Sequence, residues 1–160
     1  KHSIGIEISN PGHQFDYKKF SNKQIRSLLK LSKFLIKKYD INTKNILGHS
    51  DIAPDRKKDP GEKFPWKYFA KNSIGLWHSL ESNILKKNRG LKISKVNENY
   101  LLKNIFKIGY SKKMPTKLDK KKYLSLILKA YQRRFRPELI NGKGDRECLL
   151  ISKNLVKKFN

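Results

Sequence analysis

His49 and Asp59 stand ten positions apart in one loop, Gly48-His49-Ser50-Asp51-Ile52-Ala53-Pro54-Asp55-Arg56-Lys57-Lys58-Asp59-Pro60-Gly61. An imidazole and a carboxylate suit Zn²⁺, whose catalytic sites take three protein ligands and keep a further position for water. Pro60 biases Asp59 toward extended backbone, and Pro54 restrains the loop midway. A restrained loop loses less entropy when two side chains are aimed at one point. The spacing alone is a weak signal, since a lone loop histidine is more often exposed or capping. Glu7 sharpens it. Its carboxylate sits within a strand-like run, where burial is costly without a partner, and such a group can act as a general base toward water. The other reading of Glu7 is a solvent-facing place on an edge strand. Lys57, two residues before Asp59, could supply positive charge where an oxyanion develops, or be one more solvated lysine.

The elements that must position these groups follow from periodicity. Ile4, Ile6 and Ile8 alternate with Ser3, Gly5, Glu7 and Ser9, which predicts a strand closed by the turn Asn10-Pro11-Gly12. Ser21 and Gln24 have the spacing of a capping box. Beyond them Ile25, Leu28, Leu29, Leu35, Ile36 and Tyr39 share one stripe, which predicts a helix of roughly five turns. Asn45–Leu47 reads as a short strand before the loop. Two aromatic pieces follow, Phe64-Pro65-Trp66 and Gly75-Leu76-Trp77. Residues 83–92 are polar and read as a linker. The remainder predicts three helices: Ser94–Ile108 stopped by Gly109, Asp119–Phe135 stopped by Pro137, and Asp145–Phe159.

Composition bounds the partners. Of 160 residues, 38 are Lys or Arg and 13 are Asp or Glu, a formal net charge of +25. Such a surface seeks polyanions: nucleic acid, acidic lipid or an anionic wall polymer. The abundance of Lys, Asn and Ile equally fits an AT-rich genome. Cys148 is the single cysteine, which excludes an internal disulfide and a Cys-rich zinc knuckle. No apolar run approaches the ~20 residues of a membrane-spanning helix. Nucleic-acid binding has only charge in its favour. The aromatics are not interleaved with the basic residues as a stacking platform requires.

Ser3-Ile4-Gly5-Ile6-Glu7-Ile8, the Gly48–Gly61 loop and the Pro65-Trp66 and Gly75-Leu76-Trp77 pieces together resemble the zinc-dependent N-acetylmuramoyl-L-alanine amidases of the AmpD/AmiD type, the Amidase_2 family. Tyr131-Gln132-Arg133-Arg134-Phe135-Arg136-Pro137 and Asn141-Gly142-Lys143-Gly144-Asp145 resemble the peptidoglycan-binding three-helix module of the AmiD-type arrangement. The resemblance implies an α/β mixed-sheet amidase domain over 1–82, incomplete at its N-terminus, then the linker 83–92 and a peptidoglycan-binding helical module over 93–160. It implies that His49 and Asp59 are zinc ligands. The third, a histidine, is expected upstream of Lys1, with His2 and His13 as local candidates to replace it. Glu7 matches the catalytic acid/base and Lys57 the lysine that assists at the transition state. Arg56 matches a position that meets acidic groups of the stem peptide. Trp66, with Phe64, would line the cleft wall or serve the core.

The implied reaction is hydrolysis of the amide bond between N-acetylmuramic acid and L-alanine, with zinc-bound water as nucleophile. Peptidoglycan or muropeptides are the implied partners. The cell envelope or periplasm is the favoured compartment, with the cytoplasm also compatible. The alternatives from other classes are a non-catalytic peptidoglycan-binding fragment and a basic nucleic-acid-binding protein.

Overall fold

A computed structural model describes residues 3–111 and 113–159. The chain divides into two compact units, Lys1–Ile41 and Asn42–Asn160. The described residues form helices and turns, with no β-strand among them. That overturns the expected mixed sheet. Alternation gives residues 3–9 two distinct faces, but a strand exists only as one rung of a ladder, and no described segment pairs with it. The segment is instead irregular and largely open, with Ile4 50% and Ile6 40% exposed. Glu7 is exposed as well, so burial exerts no demand for a partner there. The strand expected at Asn45–Leu47 is likewise absent. A single 3₁₀ turn, Thr43–Asn45, stands there, capped by the Asn42 side chain accepting from the Lys44 amide at 3.1 Å. The Asx cap offers this backbone a local alternative to pairing.

In the first unit, helix α1 spans Asn22–Tyr39. Ser21 and Gln24 form the reciprocal capping box: Ser21 Oγ accepts from the Gln24 amide, and Gln24 Oε1 accepts from the Ser21 amide at 2.9 Å. The Gln24 side-chain amide also donates to the Ser9 carbonyl at 2.6 Å, tying the N-terminal segment to the helix start. Asp40 ends α1 in the left-handed region.

The second unit holds α2 (His49–Ile52), α3 (Trp66–Lys71), α4 (Ser82–Asn88), α5 (Lys95–Lys107), α6 (Lys120–Phe135) and α7 (Arg146–Phe159). Ser94 caps α5 and Asp119 caps α6 through their side chains. Asp145 accepts from the Cys148 amide at 2.8 Å at the start of α7. Leu101, Ile105, Ile127, Tyr131, Phe135, Ile151 and Leu155 make the centre of the apolar core. At roughly 25 cal/mol per Å² of apolar area removed from water, this is what drives the helices together. Phe64, Trp66, Phe69 and Ile74 are buried around α3.

Charge is also buried in this unit. Arg136 and Glu147 have no side-chain exposure, and Arg136 Nη2 lies 3.1 Å from Asp145 Oδ2. Arg89, which follows α4, forks onto Glu147 with two bonds of 2.8 Å. Gln132 is fully buried too. Its Oε1 accepts from the Asn141 and Gly142 amides, while its Nε2 donates to the Lys143 carbonyl. Much of the Tyr131–Pro137 stretch therefore faces inward and fixes the loop after α6. Gly142 has φ +71°, and a Cβ there would stand 2.4 Å from Ser125 Oγ, so that turn requires glycine. No helix among the described residues is long and apolar enough to cross a membrane.

Two outcomes follow from these buried groups. Arg136→Met should lower unfolding free energy by ~3 kcal/mol or more in urea titrations, because Asp145 loses its buried partner. His78 is buried and its imidazole pKa is lowered to about 4, chiefly by desolvation. The unfolded chain therefore binds its proton first on acidification. Stability should fall as pH drops from about 6.5 toward 4, and His78→Gln should flatten that slope in thermal melts.

Candidate active site

The loop at 48–61 closes on itself. His49 opens α2, and Asp59 lies at the far end of the loop. Their side chains meet, Nδ1 to Oδ2, at 3.0 Å, with 43% and 60% of each exposed. The adjacent backbone is clamped as well: the Ser50 amide donates to the Asp59 carbonyl at 2.9 Å. Ala53 organises the middle by accepting from the Arg56 and Lys57 amides at 3.2 and 2.9 Å. Gly48 precedes α2 because nothing larger fits. A Cβ there would stand 2.8 Å from Pro60 Cδ and 3.2 Å from the Trp66 ring.

Beneath this loop lies a carboxylate that sequence reasoning did not single out. Asp51 is 7% exposed. Its Oδ2 accepts from the Gly48 amide at 2.8 Å and from Arg134 Nη1, and its Oδ1 accepts from the Tyr110 hydroxyl at 2.6 Å. Arg134 also donates through Nη2 to the Ile46 carbonyl at 3.0 Å, with its guanidinium 4.1 Å from the Trp66 ring centroid. Burial raises the Tyr110 pKa well above its ordinary value, and the Asp51 charge adds to this, so the phenol stays protonated and donating. Asp51 and Arg134 are 83 positions apart, a separation no local pattern reveals. The available signal was an acidic residue two places after His49 in a strongly basic chain, waiting for a cation.

His49 and Asp59 are thus in contact, with Arg56 and Lys57 in the same loop. Arg56 is exposed and Lys57 half-buried. Trp66 is buried against Phe64, 4.7 Å between ring centroids, and under Arg134. Glu7 lies in the other unit. His13 stacks on Tyr17 at 4.4 Å, and His2 lies outside the described residues. An imidazole nitrogen and a carboxylate oxygen at this separation suit zinc as donors and supply two of its positions. No group of three or more His, Cys, Asp or Glu able to hold a metal occurs among the described residues.

Residues 1–62 match the Amidase_2 family, described as N-acetylmuramoyl-L-alanine amidase. The chain is 35% identical over 164 residues to N-acetylmuramoyl-L-alanine amidase AmiD of Escherichia coli, a match covering 98% of this chain and 58% of that protein. Its structure is similar to the E. coli AmiD complex with the substrate anhydro-N-acetylmuramic acid-L-Ala-D-γ-Glu-L-Lys. The TM-score is 0.74 at 30% identity, over 90% of this chain and 55% of that one. AmpDh3 from Pseudomonas aeruginosa gives a TM-score of 0.72 at 34% identity, over 90% and 56%. The chain therefore spans somewhat more than half the length of these relatives.

Gly48→Ala tests the loop closure directly. The added methyl group meets Pro60 and Trp66, so the variant should lose ~1–3 kcal/mol of stability in urea titrations.

Proposed function

We propose that this chain, whose residues 1–62 match the Amidase_2 family, belongs to a peptidoglycan amidase that hydrolyses the amide bond between N-acetylmuramic acid and the L-alanine of the stem peptide. The observation that carries the reading is the convergence of His49 Nδ1 and Asp59 Oδ2 at 3.0 Å on a half-exposed loop surface. In this reading His49 and Asp59 would hold zinc. When bound, zinc supplies Lewis acidity toward water and the amide carbonyl. Glu7 accepts the attacking water's proton on its carboxylate and returns it to the departing L-alanine nitrogen. Lys57 lends positive charge to the developing oxyanion. Arg56 meets stem-peptide carboxylates, while Trp66, buried against Phe64 and Arg134, supports the loop from within rather than lining a cleft wall. Residues 93–160 form the module that holds peptidoglycan and so raise the local substrate concentration. Residues 83–92 are not an open linker to it, because Ser82–Asn88 is helix α4 and Leu85 packs into the same core. The net charge of +25 suits a polymer whose peptides carry free carboxylates. The envelope is the compartment where such a polymer is met intact.

Incubating the intact protein with zinc and either an anhydro-muropeptide or sacculi, then following free stem peptide by chromatography, tests the reaction. Glu7→Gln should keep the zinc content and reduce hydrolysis by ~10²–10⁴-fold. Near-normal turnover in that variant overturns the role of Glu7, and no peptide release from zinc-loaded wild type overturns the hydrolase reading. With two ligating groups in contact among the described residues, a second reading is peptidoglycan binding without hydrolysis. Retention on sacculi without cleavage would identify it.

A further inference from the structure

We infer that Tyr110 and Arg134, carried on and beside the long C-terminal helices, are positioning residues that set the geometry of the His49–Asp59 pair through Asp51. The inference rests on the reading of that pair as the metal-holding part of an amidase site.

Helix α2 has four residues, too few for its own backbone bonds to hold a direction. Its orientation is fixed from outside. Of its side chains, Asp51 is the buried charge, and both carboxylate oxygens are engaged: one by Tyr110, the other by Arg134 and the Gly48 amide. Gly48 and Asp51 flank His49, so holding both holds the His49 backbone between them. The constraint then crosses the loop, because the Ser50 amide donates to the Asp59 carbonyl at 2.9 Å. Arg134 adds a second anchor by gripping the Ile46 carbonyl at 3.0 Å with its other terminal nitrogen. The chain entering the loop is thus pinned on both sides of His49 by one guanidinium. A lysine has a single ammonium and no planar fork, so it cannot make both bonds while lying against Trp66.

The consequence is functional. The C-terminal part of the chain, read so far as an anchor on the polymer, also acts as a buttress of the reactive loop. Altering α6 at Arg134 should move His49 and Asp59 without touching substrate.

Wild type, Arg134→Met, Arg134→Lys and Tyr110→Phe chains are compared in two measurements. One is Zn²⁺ affinity by competition with a chelator. The other is amide hydrogen exchange at Ser50, set against Ile151 and Leu155 in the core of α7. Arg134→Met should weaken Zn²⁺ binding by ~10-fold or more, as loss of a group supporting a ligand does, and should speed Ser50 exchange by ~10-fold while α7 stays protected. Arg134→Lys should recover part of both effects, and Tyr110→Phe should shift both in the same direction by less. Unchanged Zn²⁺ affinity and unchanged Ser50 protection in the folded variants would overturn the inference. So would an equal rise in exchange at Ser50 and in α7, which marks a merely structural role. If Arg134→Met fails to fold, Tyr110→Phe, which removes one oxygen atom, decides by the same criteria. If Zn²⁺ binding by wild type is too weak to compare, Ser50 exchange alone decides the buttress by the same criteria.

Discussion

The Asp51 carboxylate is the constraint on which the candidate site depends. A buried anion is tolerated only with full compensation, and here two oxygens receive an amide, a phenol and a guanidinium. Breaking such a pair from one side typically costs ~3–5 kcal/mol, because the remaining charge stays buried and alone. That large one-sided cost makes the arrangement specific. A loop in which Asp51 turned away would strand Arg134 in the interior, and a shifted α6 would strand Asp51. The loop and the helix therefore define each other's position.

The same logic repeats beside it, at the same C-terminal end of α6. Arg136, Asp145 and Glu147 form a second buried charge cluster with the partly exposed Arg89 at its rim, and Gln132 saturates its amide on the loop between them. In a chain with 38 basic and 13 acidic residues, most lysines have no acid to pair with and lie on the surface. The few acids taken inside are matched with arginine. Planarity and several donors let arginine satisfy a buried carboxylate where an ammonium on a flexible stem would leave directions unfilled. The surface charge is thus free to act on a polyanionic partner, while the interior charge specifies the packing.

The His49–Asp59 pair stands at the boundary between these regimes. His49 and Asp59 are half-open to solvent, yet their backbones are tied to each other and to a buried anchor. Donor atoms proposed to receive a metal and a substrate need access. Their aim has to come from behind, from groups that never meet the ligand. Gly48, whose absent side chain lets Pro60 and Trp66 close in, belongs to that hidden support as much as Arg134 does.

Local information was legible in the sequence wherever the determining atoms are close along the chain. The Ser21–Gln24 box and the caps at Ser94, Asp119 and Asp145 each involve partners three residues apart, and the helices start there. The His49–Asp59 loop, with its prolines and glycines, was also visible, because ten residues between turn-forming positions can close only a few ways. Two things were not legible. Alternation at residues 3–9 states which faces a strand would have, but the partner that makes it a strand is a tertiary matter, and no described segment supplies one. The inward turn of Arg134, Gln132 and Arg136 was equally hidden, since a basic motif on a basic chain looks like surface until distant acids claim it. Sequence by itself determined the caps, the helical stripes and the closed loop at 48–61. Only the tertiary structure decided that Asp51 would meet Tyr110 and Arg134, because bringing a phenol and a guanidinium from 59 and 83 positions away depends on how the helices pack and on nothing local to either end.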